Sequence, residues 1–583
     1  VTIAADQIQF LDIEMESTAQ QLETFEVIDY KVPLISKDQT TSGASVTSEE
    51  IAKMPNRSAN SIASTVGGVF SADGERGRVR GAREDATVMY IDGIRVRGSS
   101  NLPASAIEQV DVVLGGVPAQ YGDATGGIIN VTTKGPSREF GAGIELESSQ
   151  YLDPFGYNRA GININGPLFS KKDENGKRTT SLLGFFIAGD FNYNKDGRPI
   201  GIDIYKAKDD YLAYIEENPL RPAQGGFGTY PNVLFTEMSD LEKVKSTQNT
   251  SNYNVSVSGK IDIRTTETIN LTLGGSYYLD NNNNYSYGSS LFNYKKNSHS
   301  MNNTWRVFGR FTQRFPTDKE SNSFIKNVYY SIQADYTSNS GFTEDADHGK
   351  DLFKYGYLGK YTTYKTPTYE LGSDTVNGNF YEQAWILNSW DFDTLVTFDP
   401  YDYNPLIARY TSSYYELFAG QVIGNYQNLD QIQLGGGLLN GQGPDGVYGL
   451  WAAPGAGQAG YNEYDNTQFA INVSGAMDIG NHEFKFGFQY DQRSDRGFGY
   501  APGAFWGLMR SITNFHIAEL DIDNPIIVEG SNLDTIKYFR KYDELTQRTF
   551  DYNLRQKLGL PTNGLDFIDI DSYDFNTNSI NYF

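Results

Sequence analysis

A glycine-dense stretch of short apolar runs, residues 81–135, constrains the fold of this chain more than any other feature. Three of its runs have the composition of strands: Val88 to Ile91, Val110 to Leu114 and Ile128 to Thr132. Glycine-rich turns separate them, together with one short helix-like piece, Ala104 to Glu108. Glycine supplies the positive φ angles that tight turns need. The stretch therefore predicts a compact sheet whose strands end in tight turns.

Downstream of residue 135 the sequence changes to a regular alternation of apolar and polar residues. In Asn254 to Ile263, valine and isoleucine fall on one face, whereas Ser256, Lys260 and Asp262 fall on the other. A tilted strand that crosses an outer membrane needs roughly 9–11 residues, whereas strands of soluble sandwiches or propellers usually have about 5–6. About nine segments have the longer form, near residues 140–150, 157–167, 181–194, 251–263, 267–280, 303–315, 325–338, 467–479 and 482–494.

The connections between these segments alternate between short and long. About 56 residues follow Asn194, about 22 follow Asp280 and well over 100 follow Ser338. Outer-membrane barrels have short periplasmic turns and longer extracellular loops, whereas a soluble sandwich has no reason for this rhythm. We therefore predict a transmembrane antiparallel β-barrel. The periplasmic connections are predicted near residues 169–180, 264–266, 316–322 and 480–481, and the extracellular ones include 195–250 and 339–466.

Composition excludes several classes of function. The 583 residues include no cysteine, which rules out disulfides, thiolate metal sites and a cysteine nucleophile. A net charge of -24 disfavours nucleic acid as a partner, because phosphate binding needs clustered lysine and arginine. No run of about 18 apolar residues is present, so no transmembrane helix is predicted.

No catalytic pattern is visible either. The four histidines, at positions 299, 348, 482 and 516, do not have metal-ligand spacing, and no nucleophile elbow or phosphate loop occurs. Closely spaced carboxylates in residues 344–349 and 566–574 admit a Ca²⁺ site, but solvated loop charge is the preferred interpretation. We therefore expect no enzyme, no cofactor and no metal site.

Two blocks carry a family resemblance: YIDGIRV at residues 90–96 and IEQVDVVLGGVPAQYGDATGGIINVTTKG at residues 107–135. They resemble the plug domain of TonB-dependent outer-membrane receptors over about residues 40–135. The resemblance implies an α+β plug, residues 35–135, inside a barrel of about 22 strands. Residues 136–583 would then hold the N-terminal part of that barrel, with long extracellular loops. The expected location is the outer membrane of a Gram-negative cell.

The same resemblance implies energised uptake, or export, of a ligand through the plugged barrel. The expected partners are TonB with ExbB and ExbD, and outer-membrane lipid and lipopolysaccharide. Surface lipoproteins or other outer-membrane proteins are further candidates. A structural scaffold or surface platform within a larger outer-membrane complex is the alternative function. Sequence after Asp495 lacks clean alternation, so we expect this chain to be the N-terminal part of a longer polypeptide that stops within an external loop.

By resemblance, Arg80-Gly81 belongs to the "RG" turn of the family and Asp92-Gly93 to its "DG" turn. These positions are expected to be structural elements of the gate rather than substrate contacts. The full set of predicted gate and turn positions is Arg80, Gly81, Asp92, Gly93, Gly115, Gly116, Tyr121, Gly122, Gly126 and Gly127. Five arginines of the plug are further predicted to pair with acidic residues that line the polar barrel lumen. These arginines are Arg78, Arg80, Arg83, Arg95 and Arg97.

The N-terminal residues carry a second resemblance. Residues 1–19 alternate like the last strand of a small β-sandwich and resemble the carboxypeptidase-regulatory-like domain that precedes the plug in many Bacteroidota receptors. Residues 20–34 are the predicted linker. A TonB box occupies this place in the family and adds a strand to TonB. The candidate box is Glu23, Thr24, Phe25, Glu26, Val27, Ile28, Asp29 and Tyr30, and an ordinary linker strand that packs on the plug is the alternative.

Residues 132–168, which close a strand with GPL, resemble the Oar-like branch of these receptors. The line VVLGGVPAQYGDATGGII departs from the pattern of the sugar-importing SusC type. The departure weakens any expectation of a SusD-like lid lipoprotein. The Oar-like branch implies no common ligand and leaves the direction of transport open.

Overall fold

A computed structural model gives the fold of residues 42–583. The described residues exclude these segments: 55–57, 72–76, 97–100, 118–120, 122–123, 138, 173–177, 226–227, 267, 316, 318–322, 419–427, 457–459 and 481. The chain is mostly β, as predicted, and is built from a small mixed sheet, a large antiparallel sheet and a set of packed insertions.

The small sheet is formed by the glycine-dense stretch and the residues before it. The elements of this region are β1 (Ser42–Thr47), α1 (Ser48–Ile51), α2 (Ala59–Ser64), β2 (Val69–Phe70), β3 (Arg78–Val79), β4 (Thr87–Ile91), β5 (Ile94–Val96), β6 (Ile107–Gly115) and β7 (Gly127–Thr133). The five strands of the sheet lie in the order β1-β6-β7-β4-β5, with β4 and β7 parallel and the other neighbours antiparallel, whereas β2 and β3 pair with each other. The three predicted strands are confirmed within β4, β6 and β7.

The predicted helix-like piece at 104–108 is shorter than expected. Only Ala104–Ala106 forms a 3-10 turn, and Ile107 already begins β6. The sequence IEQVDVV is rich in β-branched residues, which favour a pleated strand over a helix. Both faces of the sheet are covered: Ile62 and Ala63 of α2 pack on one, and Tyr90 packs with Ile128 on the other. This double burial explains why the strands read as continuous apolar runs.

The large sheet contains nine long strands in a continuous antiparallel order. They are β8 (Gly141–Ser148), β9 (Asn158–Lys172), β10 (Arg178–Asn194), β15 (Asn252–Arg264), β16 (Ile269–Asn283), β17 (His299–Phe315), β18 (Ile325–Glu344), β21 (Tyr461–Ile479) and β22 (His482–Tyr500). Each of the nine predicted segments corresponds to one of these strands. We call this sheet the wall.

The two faces of the wall differ in polarity, as the alternation predicts. On the outer face Ile187 and Val307 are each 51% exposed, and Leu273 is 44% exposed. On the inner face Arg306 and Asp335 are buried. A one-residue shift in any strand would exchange these faces, so the pattern fixes the register.

The connections between strands of the wall alternate between the two ends of the strands, and we call these two sides of the wall its edges. The four at one edge are short, from the end of β9 to the start of β10 and after β15, β17 and β21. The opposite edge carries the long insertions 195–251 and 345–460, the connection 284–298, and the residues that follow β22. Both long insertions fold into regular elements.

The first insertion contains β11 (Ile204–Ala207), α3 (Asp209–Glu217), β12 (Leu220–Pro222), β13 (Thr229–Pro231) and β14 (Leu241–Val244). The second contains β19 (Gly359–Val376), β20 (Asn379–Pro400), α4 (Pro405–Phe418) and α5 (Leu429–Leu434). The residues after β22 contain α6 (Gly503–Thr513), β23 (Ile526–Val528), β24 (Thr535–Lys537) and α7 (Thr549–Leu558).

Residues after Asp495, predicted as loop-like, are thus partly helical. Trp506 of α6 and Phe550 of α7 are buried in one cluster. No helix within the described ranges is both long enough and apolar enough to cross a bilayer.

Candidate functional site

The predicted "DG" turn forms the tip of the β4–β5 hairpin. Ile91 pairs with Ile94, so Asp92 and Gly93 are the two turn residues, with φ angles of 51° and 82°. Two positive φ angles in a two-residue loop match the right-handed twist of the flanking strands. Glycine adopts this conformation without strain, and aspartate tolerates it better than most residues.

The predicted "RG" turn has the same conformation. Arg80 and Gly81 have φ angles of 49° and 76°, and the Ala82 amide donates to the Val79 carbonyl oxygen at 2.9 Å. Arg80 was expected to pair with the wall, but its Nη2 instead donates to Ser42 Oγ at 3.0 Å. Its contact therefore ties β1 to the turn within the small sheet.

The remaining predicted turn positions surround the same sheet. Gly115 ends β6, Gly116 follows with a φ of 65°, and the Tyr121 ring lies 5.1 Å from that of Tyr90. Gly126 precedes β7, and Gly127 begins it with a φ of 136°. An added Cβ at Gly127 would lie 2.8 Å from the Val79 side chain, so glycine is required there. Gly122 and the candidate box, residues 23–30, lie outside the described residues.

Lys260 of the wall forms an ion pair with the tip of the hairpin. Its Nζ lies 2.8 Å from Asp92 Oδ1 and donates to the Thr133 carbonyl oxygen at 3.0 Å. Asp92 also accepts from the Thr133 amide at 3.0 Å and from Thr133 Oγ1 at 2.8 Å. The two ionic side chains are only 10% and 4% exposed. Each charge is therefore largely removed from water and depends on the other.

The ionisation of Asp92 follows from these contacts. Burial opposes the charged form, but the Lys260 ammonium, its hydrogen bond and the Thr133 amide favour it more strongly. Together with Arg310 they hold the pKa of the Asp92 carboxyl below its ordinary value. Asp92 is consequently charged at neutral pH.

Backbone carbonyl groups of the same hairpin accept hydrogen bonds from the wall. Arg306 Nη2 donates to the Ile91 carbonyl oxygen at 3.1 Å, and Arg310 donates to that of Asp92. Two amides complete the set: Asn472 Nδ2 donates to the Gly93 carbonyl oxygen and Gln468 Nε2 to that of Arg95, each at 3.0 Å. At this hairpin four wall side chains therefore act as donors to backbone carbonyl groups of the small sheet, a set of contacts that was not predicted.

A second anchor lies nearer the edge with the long insertions. The Ala104 amide donates to Asp190 Oδ2 at 2.8 Å, and Asp190 Oδ1 pairs with Arg159 at 3.1 Å. Arg159 is also within 3.0 Å of Glu145 and 2.9 Å of Glu147. The small sheet is thus held against the inner face of the wall at two heights.

Metal and catalytic sites were not expected, and the part of the chain with described coordinates offers no group of three or more histidine, aspartate or glutamate side chains suited to a metal ion. Within the acidic run 344–349, Asp345 Oδ1 accepts from the Asp347 amide and His348 bonds to Asn404. In the other run Asp571 pairs with Arg510 at 2.5 Å. These side chains have structural partners.

The comparisons with known proteins bear on the small sheet. Residues 36–128 match the TonB-dependent Receptor Plug Domain family. This sheet is a TonB-dependent receptor plug domain. The plug therefore lies against the wall through the DG hairpin and Ala104. The family consists of receptors and not of enzymes.

Two curated relatives match part of the chain. The "Probable TonB-dependent siderophore receptor PirA" of Acinetobacter baumannii is 33% identical over 182 residues, which cover 26% of this chain and 22% of that protein. The "Ferric enterobactin receptor" of Pseudomonas aeruginosa is 29% identical over 153 residues, which cover 21% and 20%. The matches span about a fifth of the length of these relatives. The crystal structure of the siderophore receptor PirA from A. baumannii is 14% identical with a TM-score of 0.34, covering 78% of this chain and 57% of that one.

Proposed function

We propose that this chain belongs to a TonB-dependent transporter of the Gram-negative outer membrane, which moves a ligand through a plugged β-barrel. The observation that carries the proposal is the docking of a plug domain on the polar face of a nine-stranded sheet whose other face is apolar. A barrel with a polar lumen and a lipid-facing apolar band has this arrangement. A plug anchored to such a wall serves as a gate for solutes.

TonB, energised by ExbB and ExbD, is the proposed partner of the plug. Residues 23–30 are the proposed TonB box, because they precede the plug and combine Phe25, Val27 and Tyr30 with polar neighbours. Strand addition depends on main-chain hydrogen bonds, which accommodates a loosely defined sequence. Outer-membrane lipid and lipopolysaccharide would surround the apolar face. A surface lipoprotein or another outer-membrane protein remains a proposed further partner.

The plug domain supports transport through the barrel but does not identify the ligand that is transported. The names of the two relatives refer to siderophores and to ferric enterobactin, but only about a fifth of their length is matched. An origin in Bacteroidota and the Oar-like branch are proposals that rest on residues 132–168 and on the sequence before the plug. Import and export are both compatible with a TonB-driven gate.

The folded insertions favour one alternative, a scaffold or surface platform in a larger complex. Insertions 195–251 and 345–460 pack against each other in shared apolar clusters, one around Leu212 and one around Tyr361. A packed outer region of this size offers a broad surface for other proteins. Removal of residues 22–30 separates the two functions, because only a transporter depends on TonB.

The orientation of the wall is tested by cysteine labelling, since the chain has no cysteine of its own. Asp210, at the start of α3, and Thr265, after β15, are both exposed and lie at opposite edges of the wall. We expect a membrane-impermeant thiol reagent to label Asp210→Cys on intact cells and to leave Thr265→Cys unlabelled until the outer membrane is permeabilised. Labelling of Thr265→Cys alone on intact cells would show that the orientation is reversed.

A further inference from the structure

An apolar cavity of about 310 Å³ opens in the region at the long-insertion edge of the wall. Three separate connections line it: insertion 195–251, connection 284–298 and insertion 345–460. Its volume is at the lower end of the range of small-molecule sites, roughly 300–1,000 Å³. None of the functions proposed above uses it.

Backbone hydrogen bonds hold the three connections together around the cavity. The Ala207 amide donates to the Leu291 carbonyl oxygen at 3.0 Å, and the Ala452 amide donates to that of Gly288 at 2.8 Å. The Tyr448 hydroxyl donates to the Leu234 carbonyl oxygen at 2.6 Å. The cavity is therefore formed before any ligand arrives, which lowers the entropic cost of binding.

The walls of the cavity are aromatic and aliphatic. Val233, Phe292 and Val447 are each 3% exposed and form its inner wall. The rings of Tyr287 and Trp451 lie 6.5 Å apart beside them. Aromatic side chains of this kind offer both apolar contact and ring faces that attract cations.

The mouth of the cavity is apolar and open to solvent. Ile202 is 65% exposed, Met238 66% and Tyr448 70%. Clustered exposed apolar residues around a concave site are typical of an interaction surface. A ligand that covers them would remove this surface from water.

Two carboxylates lie among the lining residues, and only one is neutralised. Asp203 pairs with Lys243 at 2.6 Å. Glu237, which caps the turn that contains Asp240, makes no ion pair with any described residue. One negative charge therefore stands beside a set of aromatic faces without a protein cation. We propose that the cavity binds a small aromatic amine, with its ring among Phe292 and Trp451 and its ammonium group near Glu237.

Three probes of matched size test this proposal on the full-length protein in detergent: phenethylamine, 2-phenylethanol and phenylacetate. Ligand-observed NMR titrations at low salt measure their affinities. We expect phenethylamine to bind up to about fivefold more tightly than 2-phenylethanol, because an exposed ion pair contributes up to about 1 kcal/mol. Phenylacetate should bind most weakly. Equal binding of the amine and the carboxylate, or no binding of the amine, would overturn the proposal.

A variant of Glu237 and a matched control test whether the ammonium group of phenethylamine lies near this carboxylate. Glu237→Gln keeps the turn, since glutamine still accepts a backbone hydrogen bond, and should abolish the preference for phenethylamine over 2-phenylethanol. Glu529→Gln, at an exposed carboxylate outside the lining, should keep that preference.

Met238→Trp narrows the mouth of the cavity and should weaken the binding of phenethylamine and of 2-phenylethanol at least tenfold. Its control is Leu545→Trp, at a residue that is 92% exposed and outside the lining. Unchanged binding to Met238→Trp would place the probe elsewhere and overturn the proposal. None of these results depends on TonB, so they are independent of the transport function.

Discussion

Replacing Lys260 with methionine should release the β4–β5 hairpin of the plug from the wall. Methionine keeps the length and apolar stem of the side chain but leaves Asp92 as a buried, unpaired charge. Breaking a buried ion pair in this way costs about 3 kcal/mol or more. Each 1.4 kcal/mol is about tenfold in an equilibrium, so hydrogen exchange across residues 88–96 should become about 100-fold faster. Mass spectrometry of the protein in lipid nanodiscs measures this exchange.

A matched control and a rescue keep the result specific. Lys485→Met removes an exposed pair with Glu483 on the same sheet, 3.3 Å apart, and should leave plug exchange unchanged. Adding Asp92→Asn to Lys260→Met removes the unpaired charge, keeps an acceptor for the Thr133 amide and tolerates the positive φ. Exchange should then slow by about tenfold. Equal exchange in wild type and Lys260→Met would show that the ion pair does not hold the hairpin.

Replacing Val27 with proline should strongly weaken binding to TonB while the barrel still assembles. Proline removes a backbone donor and restricts the residue before it, and both effects oppose strand addition. We expect the affinity of the full-length protein for the periplasmic domain of TonB to fall at least tenfold. Isothermal titration calorimetry measures this affinity, and the amount of protein in the outer membrane reports assembly.

Ala19→Pro is the control, because it introduces proline before the box in the same N-terminal region. This variant should bind TonB as the wild type does. Normal binding by Val27→Pro would place the box elsewhere or mean that TonB does not engage this protein.

The wall was predictable because strands of an outer-membrane barrel follow a simple rule. In such a barrel one face of each strand meets lipid and the other meets the polar lumen, so the strand alternates and the period fixes the faces. The same rule fails at the strand ends. The ends of β17, β18 and β21 at the long-insertion edge extend four to six residues past their predicted limits, because apolar and polar residues no longer alternate cleanly there.

The β19–β20 hairpin was missed for a related reason. Its strands lie outside the wall and lack a clean alternation, although Asn377-Gly378 carries a strong turn signal. The two residues have φ angles of 51° and 81° and connect strands of 18 and 22 residues. An Asn-Gly pair of this kind indicates a hairpin.

The turns of the plug were predictable from local sequence, but the partners of the plug were not. Asp92-Gly93 defines its own hairpin through backbone conformation alone. Lys260 was visible as a cation on the polar face of β15, yet it meets Asp92 across 168 positions of the chain. Only the folded arrangement shows that wall cations and amides donate to plug carbonyls.

The central claim, TonB-driven transport, is tested most directly by the solutes that cells take up or release. The full-length gene product, the same protein without residues 22–30 and a null strain are grown in one defined medium, and mass spectrometry follows each compound in it. We predict at least one compound whose depletion or release requires the wild-type protein and is lost without residues 22–30, at equal amounts of barrel in the membrane. If cells lacking only residues 22–30 match the wild type for every compound that separates it from the null strain, the protein is not a TonB-driven transporter.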